Sequence, residues 1–288
     1  MDSSPAPGSA QLCFQARAGQ AWVQFQPQLD VQLEPFGRAL LERLAPQSGS
    51  RVLDVGCGTG QTLLQLAELV GPRGEVVGID SSEPMLECAE ERVREGNYAQ
   101  VDLLLDDAQS HIFLDRYFDL AFSRFGLMFF DDAAAGFSNV CRALRRGGRL
   151  GFMSWQSRAR NPWASVPLEA VLAVSPDLVL PPFLDGDKPG PFHLSEPERI
   201  ASLLRAAGFT KIEIAPLEQP MHFGAADTLA DAVAYALRVG PSSRVIADAP
   251  PALMPAFGAA LGKALAPFAG PNGVWLDSAA WLVLAERA

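Results

Sequence analysis

The chain has 288 residues, of which 49% are hydrophobic and 19% are charged, and its net charge is −10 at pH 7. These values exclude a disordered chain and describe a globular one with room for one large domain or two ordinary domains. The acidic charge and the lack of basic runs argue against a nucleic-acid partner, because the phosphate backbone would be repelled.

The stretch MDSSPAPGSAQ at the start lacks the basic and apolar regions of a secretory signal, and no apolar run approaches the roughly 20 residues of a membrane span. The cysteines (Cys13, Cys57, Cys88 and Cys141) are widely spaced and form no C-x-x-C pair. We therefore expect a cytoplasmic protein with reduced thiols and no membrane partner. The sequence leaves the oligomeric state open.

Apolar residues recur at helical spacing from Leu29 to Leu44, which predicts one or two helices, with Pro35 at a helix start. From Arg51 onward, short apolar runs alternate with amphipathic stretches. The predicted strands are RVLDV, EVVGI, VDLLL, FDLAFS and RLGFMSW, and the last helix between them runs from about Asp132 to Arg146. This alternation predicts an α/β fold with a parallel sheet, helices on both faces, and a ligand at the carboxyl ends of the strands.

The alternation breaks after the fifth predicted strand. Residues 156–194 are rich in proline and aromatic residues, which indicates an insertion packed over the sheet. A helix then begins at SEPERIASLLRAAGF, where Ser195 and Glu198 form a predicted capping box, and KIEIAPL is the sixth strand. Residues 223–272 are predicted to be mostly helical, and AAWLVLAE is the last strand.

Three glycines follow the first predicted strand in the stretch RVLDVGCGTG, from Arg51 to Gly60. A dinucleotide fingerprint requires G-x-G-x-x-G, but here Gln61 stands where the third glycine is needed. Asp54, two residues before Gly56, would repel a pyrophosphate and would favour a ligand with a positive amino group. The glycines still allow a ligand to approach the backbone closely.

The next two strand ends carry carboxylates. Asp80 ends the second strand, where it can accept hydrogen bonds from ribose hydroxyls, although an ordinary helix N-cap is the alternative. Asp107 follows the third strand and is placed to accept from an adenine amino group, with the Ala108 N–H facing a ring nitrogen. The order of these residues predicts a ligand that contains a nucleoside.

Together these residues resemble the class I S-adenosylmethionine-dependent methyltransferases that act on small molecules. The stretches that carry the resemblance are VLDVGCGTG, VVGID, DDAQ, FDLAFSRFGLMFF and LRRGGRL, the last with Arg146 in place of the family's proline. The family implies a Rossmann-like sheet of seven mostly parallel strands, whose last strand is antiparallel and inserted between the fifth and sixth. It also implies helical lid insertions after the fifth and sixth strands.

The resemblance implies a site for S-adenosylmethionine and for its product, S-adenosylhomocysteine. Asp54 and the glycine loop would hold the methionine end and Asp80 the ribose, while Met85 would pack near the adenine. Ser123 and Arg124 would lie beside the cofactor. The expected cofactor-binding residues are Asp54, Gly56, Cys57, Gly58, Gly60, Asp80, Ser81, Met85, Asp107, Ala108 and Ser123.

Apolar side chains near the strand ends predict the acceptor pocket, with ordinary core packing as the alternative. The expected lining is Arg124, Met128, Trp155 and Trp163, with Phe125, Phe129 and Phe183 as further candidates. Arg124 would pair with an acidic substrate group or with Asp131. Trp22 and Phe14 would belong to a cover over the cofactor.

No metal is expected, because the histidines lack metal-ligand spacing. His111 is assigned a structural role. His193 and His222 are candidate general bases, since histidine most often has that role, and the catalytic residues are otherwise unknown.

The predicted function is methyl transfer to an O, N, C or S atom of a small molecule in an enclosed, largely apolar pocket. One alternative is an S-adenosylmethionine-binding enzyme with other chemistry. Another is a cofactor-sensing module that binds a protein partner through an exposed apolar face after Phe223. The expected domains are an N-terminal cover (1–49), a cofactor-binding core (50–155), a lid (156–194), a core continuation (195–222), a second lid (223–272) and a last core strand (273–288).

Overall fold

The computed structural model describes residues 18–175, 177–184, 186 and 188–288, so Cys13 and Phe14 lie outside the described residues. The helices are α1 (Gly19–Gln24), α2 (Gln26–Leu44), α3 (Gln61–Val70), α4 (Glu83–Glu95), α5 (Ala133–Ala143), α6 (Pro162–Leu172), α7 (Pro197–Ala206), α8 (Leu229–Ala236), α9 (Pro241–Ile246) and α10 (Met254–Leu265). The strands are β1 (Arg51–Val55), β2 (Glu75–Asp80), β3 (Val101–Leu105), β4 (Phe118–Arg124), β5 (Leu144–Trp155), β6 (Phe209–His222), β7 (Ala269–Gly270) and β8 (Gly273–Arg287).

The strands form one sheet in the order β3-β2-β1-β4-β5-β8-β6, and the short β7 pairs with β8. Strands β1 to β5 are parallel to one another, whereas β8 lies between β5 and β6 and is antiparallel to both. The central strands are buried, with Leu53, Phe122 and Phe152 fully covered, as expected for parallel strands between two helical layers. The predicted Rossmann-like sheet with its inserted last strand is therefore confirmed.

Two helix boundaries differ from the prediction. Helix α5 ends at Ala143 rather than near Arg146, because the buried Leu144 already pairs with Phe118 at the start of β5. Pro35 lies inside α2 rather than at its start. That helix loses one backbone hydrogen bond at the proline but gains a buried apolar face, which outweighs the loss.

The predicted capping box is wrong. Helix α7 has Glu196 at its N-cap and no side-chain cap, and the Ser195 hydroxyl donates instead to the carboxylate of Glu196. Pro197 occupies the first turn, where its missing N–H leaves no helical hydrogen bond unmade. The strands β6 and β8 are also longer than KIEIAPL and AAWLVLAE, since their pairing continues from His222 to Phe209.

The segments 156–194 and 223–272 pack together on one side of the sheet. Helix α6 of the first segment contacts α9 and α10 of the second. The first segment is also fixed to β8 by Asn161, which is fully buried and exchanges hydrogen bonds with the Ala279 backbone through both ends of its amide. None of the helices in the described ranges combines the length and apolarity needed to cross a bilayer.

Candidate active site

A cavity lies outside the carboxyl ends of β1, β2 and β4, under the segments 156–194 and 223–272. Its volume, counted as the space in which the centre of a water molecule fits, is about 210 Å³. A single water needs only on the order of 10–15 Å³ by the same measure, so the cavity has room for a ligand of many atoms. Its walls are polar toward the ends of β1 to β3 and mostly apolar under the two segments.

The glycine loop after β1 requires glycine at each position of the motif. Gly56, Gly58 and Gly60 have φ angles of 72°, 56° and 91°, in the left-handed region that other residues avoid. A Cβ atom on Gly56 would lie 2.9 Å from the Gly126 Cα, and one on Gly58 would lie 3.0 Å from the Met85 Cε. The bare backbone therefore forms this wall of the cavity.

Asp80 fixes that loop through its carboxylate. Its Oδ2 accepts a hydrogen bond from the Gly58 N–H and its Oδ1 accepts one from the Ser82 N–H, each at 2.9 Å. Burial raises the pKa of Asp80, and the hydrogen bonds from Ser82 and Gly58 oppose that rise. Each carboxylate oxygen retains a second lone pair, so Asp80 can accept further hydrogen bonds from a ligand in the cavity that it lines.

Asp54 is a fully buried carboxylate with one oxygen unpaired. Its Oδ2 accepts from the Thr62 hydroxyl at 2.8 Å, whereas its Oδ1 has no hydrogen-bond partner within the described part of the chain. Burial raises the pKa of Asp54 to about 7, and the Thr62 hydrogen bond and the positive charge of Arg124 act against the rise. An unpaired buried carboxylate oxygen is costly in a free protein and suits a cationic ligand group.

Arg124 is half-buried, lines the cavity and donates from its Nη1 to the Gln61 Oε1. This hydrogen bond takes the place of the predicted pairing with Asp131. Gln61 in turn donates to the Asp30 backbone carbonyl, and the Asp30 carboxylate pairs with Arg92 at 2.8 Å. Helix α2 is thereby tied to the elements that carry the glycine loop.

Stacked aromatic rings form the apolar part of the cavity. The rings of Phe125 and Trp155 are parallel within 8°, with centroids 3.9 Å apart, and Phe36 packs edge-on against both. Trp163 lies 4.9 Å from Trp155, and its indole N–H donates to the Asn161 side chain at 2.9 Å. Phe125 adopts a φ of 63°, a strained conformation for an aromatic residue that is typical of functional sites.

Several polar residues of the described lining were missed by the sequence analysis, among them Tyr235 and Gln32. Tyr235 on α8 is 3% exposed, and its hydroxyl proton has no acceptor among the described residues. Gln32 on α2 is also buried and accepts from the Gly224 N–H. Gln32 could have been found from the sequence, because it is a polar residue between Leu29 and Leu33, on the face of α2 that was predicted to be apolar.

Most of the predicted site residues line the cavity. Those predicted for the cofactor are Gly56, Cys57, Gly58, Asp80, Ser81, Met85, Asp107 and Ala108, and those predicted for the acceptor side or the cover are Trp22, Arg124, Phe125, Met128, Phe129, Trp155, Trp163 and Phe183. Asp54, Gly60 and Ser123 lie behind this lining. The Ser123 hydroxyl donates to the Val55 carbonyl at 2.7 Å and so joins the end of β4 to the end of β1.

The described lining includes neither His193 nor His222. His193 donates from its Nδ1 to the Gly186 carbonyl and accepts from Arg199 at its Nε2, so the structure uses both ring nitrogens elsewhere. Burial and the nearby charge of Arg199 lower the pKa of His193. His222 donates to the Ala226 carbonyl at 3.1 Å and stacks on Trp275. The structure therefore does not bring either base candidate to the cavity.

Comparison with protein families and curated proteins gives consistent matches. Residues 52–148 match the family described as "Methyltransferase domain". The chain is 33% identical to nocamycin O-methyltransferase of Saccharothrix syringae over 62% of this chain and 65% of that protein. It is 38% identical to aklanonic acid methyltransferase DauC of Streptomyces sp. (strain C5), over 43% of this chain and 57% of that protein. The chain thus spans about 57–65% of the length of these two relatives.

Solved structures with under 25% identity share the fold. Phosphoethanolamine N-methyltransferase 2 of Haemonchus contortus, in complex with phosphomonomethylethanolamine and S-adenosylhomocysteine, is 21% identical and covers 88% of this chain and 53% of its own, with a TM-score of 0.55. The [4+2]-cyclase SpnF is 20% identical and covers 99% of both chains, with a TM-score of 0.56. Residues 52–148 therefore match a methyltransferase domain, and the described residues share the fold of a solved methyltransferase that holds S-adenosylhomocysteine.

Proposed function

We propose that this chain transfers the methyl group of S-adenosylmethionine to a small-molecule acceptor that binds under the segments 156–194 and 223–272. One observation carries the proposal: the glycine loop, the carboxylates of Asp80 and Asp107, and the aromatic stack line a single cavity. A cofactor at the loop and an acceptor at the stack would therefore touch. The methyltransferase domain and the small-molecule methyltransferases among the relatives support the same activity.

The loop residues fit the chemical groups of the cofactor. The unpaired Oδ1 of Asp54 suits the ammonium group, and the half-buried cation Arg124 suits the carboxylate. The free lone pairs of Asp80 suit the ribose hydroxyls, while Asp107 and the Ala108 N–H suit the adenine edge. We assign Gly60 and Ser123 to positioning, because a Cβ on Gly60 would lie 3.1 Å from Ala89 and Ser123 bonds the backbone.

When bound, S-adenosylmethionine would supply a methyl group on a positively charged sulfur. The acceptor's nucleophilic atom would bond to that methyl carbon as the carbon–sulfur bond breaks and S-adenosylhomocysteine leaves. The protein's own contribution is alignment of the two molecules and exclusion of water. The aromatic stack and the two covering segments provide both. With no histidine in the described lining, we propose that the acceptor's nucleophilic atom releases its proton to water and that neither His193 nor His222 is the base.

The buried helices of the segment 223–272 favour a lid over a surface for a protein partner. Phe257, Leu261 and Leu265 of α10 are fully buried, and Ala232, Tyr235 and Ala236 of α8 are buried as well. A module that senses the cofactor through a partner would instead expose such a face. The likeness to SpnF concerns the fold alone, and it keeps a cofactor-binding enzyme of different chemistry as the second candidate.

Calorimetry with S-adenosylmethionine and S-adenosylhomocysteine tests the cofactor site. We expect both to bind, and we expect Asp80→Ala to weaken binding at least about tenfold, because the loop and the ribose both lose an acceptor. Asp102→Ala, at an exposed position on β3, is the matched control and leaves affinity unchanged. Failure of the folded wild type to bind either compound would refute the proposal.

The transfer itself is tested by mass spectrometry of a panel of aromatic hydroxyl compounds incubated with the enzyme and S-adenosylmethionine. The expected products are an acceptor heavier by one methylene unit and an equal amount of S-adenosylhomocysteine. Cofactor binding combined with conversion of the acceptor to a product of unchanged mass would favour the second candidate instead.

A further inference from the structure

The hydroxyl of Tyr235 is a buried polar group whose proton has no hydrogen-bond acceptor among the described residues. The residue is 3% exposed, lines the cavity and belongs to α8 in the segment 223–272. Its ring is fixed by edge-on contacts with Phe25 and Phe223, at centroid distances of 5.6 Å and 5.2 Å. The ring cannot turn its hydroxyl toward solvent without breaking these contacts, so the unpaired group is held in place.

Leaving a buried hydroxyl unpaired costs roughly 1–3 kcal/mol, and phenylalanine would avoid that cost with the same ring. Burial raises the pKa of Tyr235, and the Gln32 side-chain amide, which can donate toward the phenol oxygen, opposes the rise, so the hydroxyl keeps its proton at neutral pH. A protonated phenol can donate a hydrogen bond but cannot serve as a base. The group therefore suits an oxygen atom of a bound molecule.

The surroundings define the rest of that molecule. Phe125 and Trp155 are stacked flat on each other, and Trp163 continues the apolar wall of the same cavity. Flat apolar ligands pack well against such rings. Tyr235 belongs to the segment 223–272, and helices of this segment contact α6, which carries Trp163. The Tyr235 hydroxyl and the aromatic wall are therefore held together by the same packing.

We infer that the methyl acceptor is a flat, largely apolar ring compound and that the Tyr235 hydroxyl selects it by donating a hydrogen bond to one of its oxygens. This inference rests on the proposed function. A phenolic or a carbonyl oxygen has the acceptor chemistry required. Tyr235 is thus a specificity-determining residue, and Gln32 supports it from α2.

Three bicyclic probes test the inference on protein saturated with S-adenosylhomocysteine: naphthalene, 2-naphthol and chromone. All three are flat bicyclic compounds: naphthalene has no oxygen, 2-naphthol has a phenolic oxygen, and chromone has a carbonyl oxygen beside a weakly accepting ring ether oxygen. In calorimetric titrations we expect the wild type to bind one of the oxygenated probes about fivefold to tenfold more tightly than naphthalene. Whichever oxygenated probe binds more tightly identifies the class of oxygen.

The variant Tyr235→Phe should lose this preference and bind all three probes equally, while its affinity for S-adenosylhomocysteine stays unchanged. Its thermal midpoint should equal or exceed that of the wild type, because an unpaired buried hydroxyl is removed. Tyr98→Phe is the control, since the Tyr98 hydroxyl donates to Glu68 at the surface and not into the cavity. It should keep the wild-type preference.

A preference that survives in Tyr235→Phe would overturn the inference, and so would a wild type that binds S-adenosylhomocysteine but none of the probes. A Tyr235→Phe variant with weakened S-adenosylhomocysteine binding would assign the hydroxyl to the cofactor and would also overturn it. In these three cases the proposed function stands. Failure of the wild type to bind S-adenosylhomocysteine at all would overturn both proposals.

Discussion

The two parts of the cavity are built in different ways. The cofactor side comes from three consecutive strand–loop units, and each unit carries its own carboxylate at the end of its strand or just after it: Asp54, Asp80 and Asp107. The acceptor side is assembled from α2, the end of β5 and two segments far apart in the chain. The first part is local and is held by backbone hydrogen bonds, whereas the second depends on long-range packing. Changes in either part should therefore separate cofactor binding from acceptor binding.

The largest effect is expected on the cofactor side, from Gly56→Ala. The new Cβ would lie 2.9 Å from the Gly126 backbone and would hold a φ of 72°, so the loop must move. We expect a loss of roughly 3 kcal/mol in the free energy of unfolding and at least about tenfold weaker S-adenosylhomocysteine binding. Urea unfolding and calorimetry measure the two effects.

Gly147→Ala is the matched control for this change. Gly147 has a φ of 70°, but nothing lies within 4 Å of its missing Cβ. Gly147→Ala should lower the free energy of unfolding by only about 1 kcal/mol, the cost of a positive φ angle at alanine, and leave the ligand affinity unchanged. Equal effects of the two substitutions would mean that close packing at the loop does not matter.

Two buried asparagines, one on each side of the cavity, allow the stability and binding of the two parts to be tested separately. Asn161 bonds the backbone of β8 and the Trp163 indole on the acceptor side. Asn139 donates to the carbonyls of Ala108 and His111 on the cofactor side, at 2.8 Å each. We expect each asparagine-to-alanine change to cost about 2 kcal/mol, because buried backbone groups lose their partners.

The binding effects of these two changes should be opposite. Asn161→Ala should weaken the bicyclic probes and spare S-adenosylhomocysteine, while Asn139→Ala should weaken S-adenosylhomocysteine first. Calorimetry with both ligands on both variants gives the four values. If each variant lost both affinities to the same degree, the cavity would behave as one cooperative unit and the division into two parts would be wrong.

The same division explains what the sequence predicts and what it does not. The loop RVLDVGCGTG and Asp80 lie a few residues from the strands that position them, so the order of residues indicates both strand and function. The unpaired hydroxyl of Tyr235 depends on contacts with Phe25 and Phe223, which are distant in sequence, and no local pattern marks it. His193 and His222 were chosen for their side-chain chemistry alone, and the fold places both outside the described lining.

The boundaries that the sequence missed also have long-range causes. Leu144 follows a helical pattern with Ala143 and Val140, but the sheet gains more from pairing it with Phe118 than the helix gains from one more turn. Pro35 is disfavoured inside a helix by its own geometry, and only the burial of the surrounding face of α2 allows it there. Tertiary packing decides both cases, and it cannot be read from a short window.

The smallest expected effect on stability, and the one with a pH signature, comes from Asp54→Asn. Because burial raises the pKa of Asp54 from 3.8 to about 7, its stability contribution is complete below about pH 4 and is lost as the pH rises through 7. In the wild type that loss amounts to roughly 4 kcal/mol. The variant avoids it, but the buried asparagine amide lacks partners, and this new cost offsets much of the gain. At pH 7.5 we expect the variant without ligand to gain about 1 kcal/mol in the free energy of unfolding, and at pH 5 we expect it to be less stable than the wild type by roughly 1.5 kcal/mol.

Ligand binding should change in the opposite direction. The ionised Asp54 attracts the ammonium group of S-adenosylhomocysteine, so wild-type affinity should rise between pH 5.5 and pH 7.5 as the carboxylate loses its proton. The variant should bind more weakly and show little dependence on pH over that range. Thr62→Val is the control, because it removes the hydrogen bond to Oδ2 but keeps the carboxylate, and it should retain a pH dependence shifted to higher pH. A wild-type affinity that is flat between pH 5.5 and pH 7.5 would show that the unpaired oxygen of Asp54 does not meet the ammonium group.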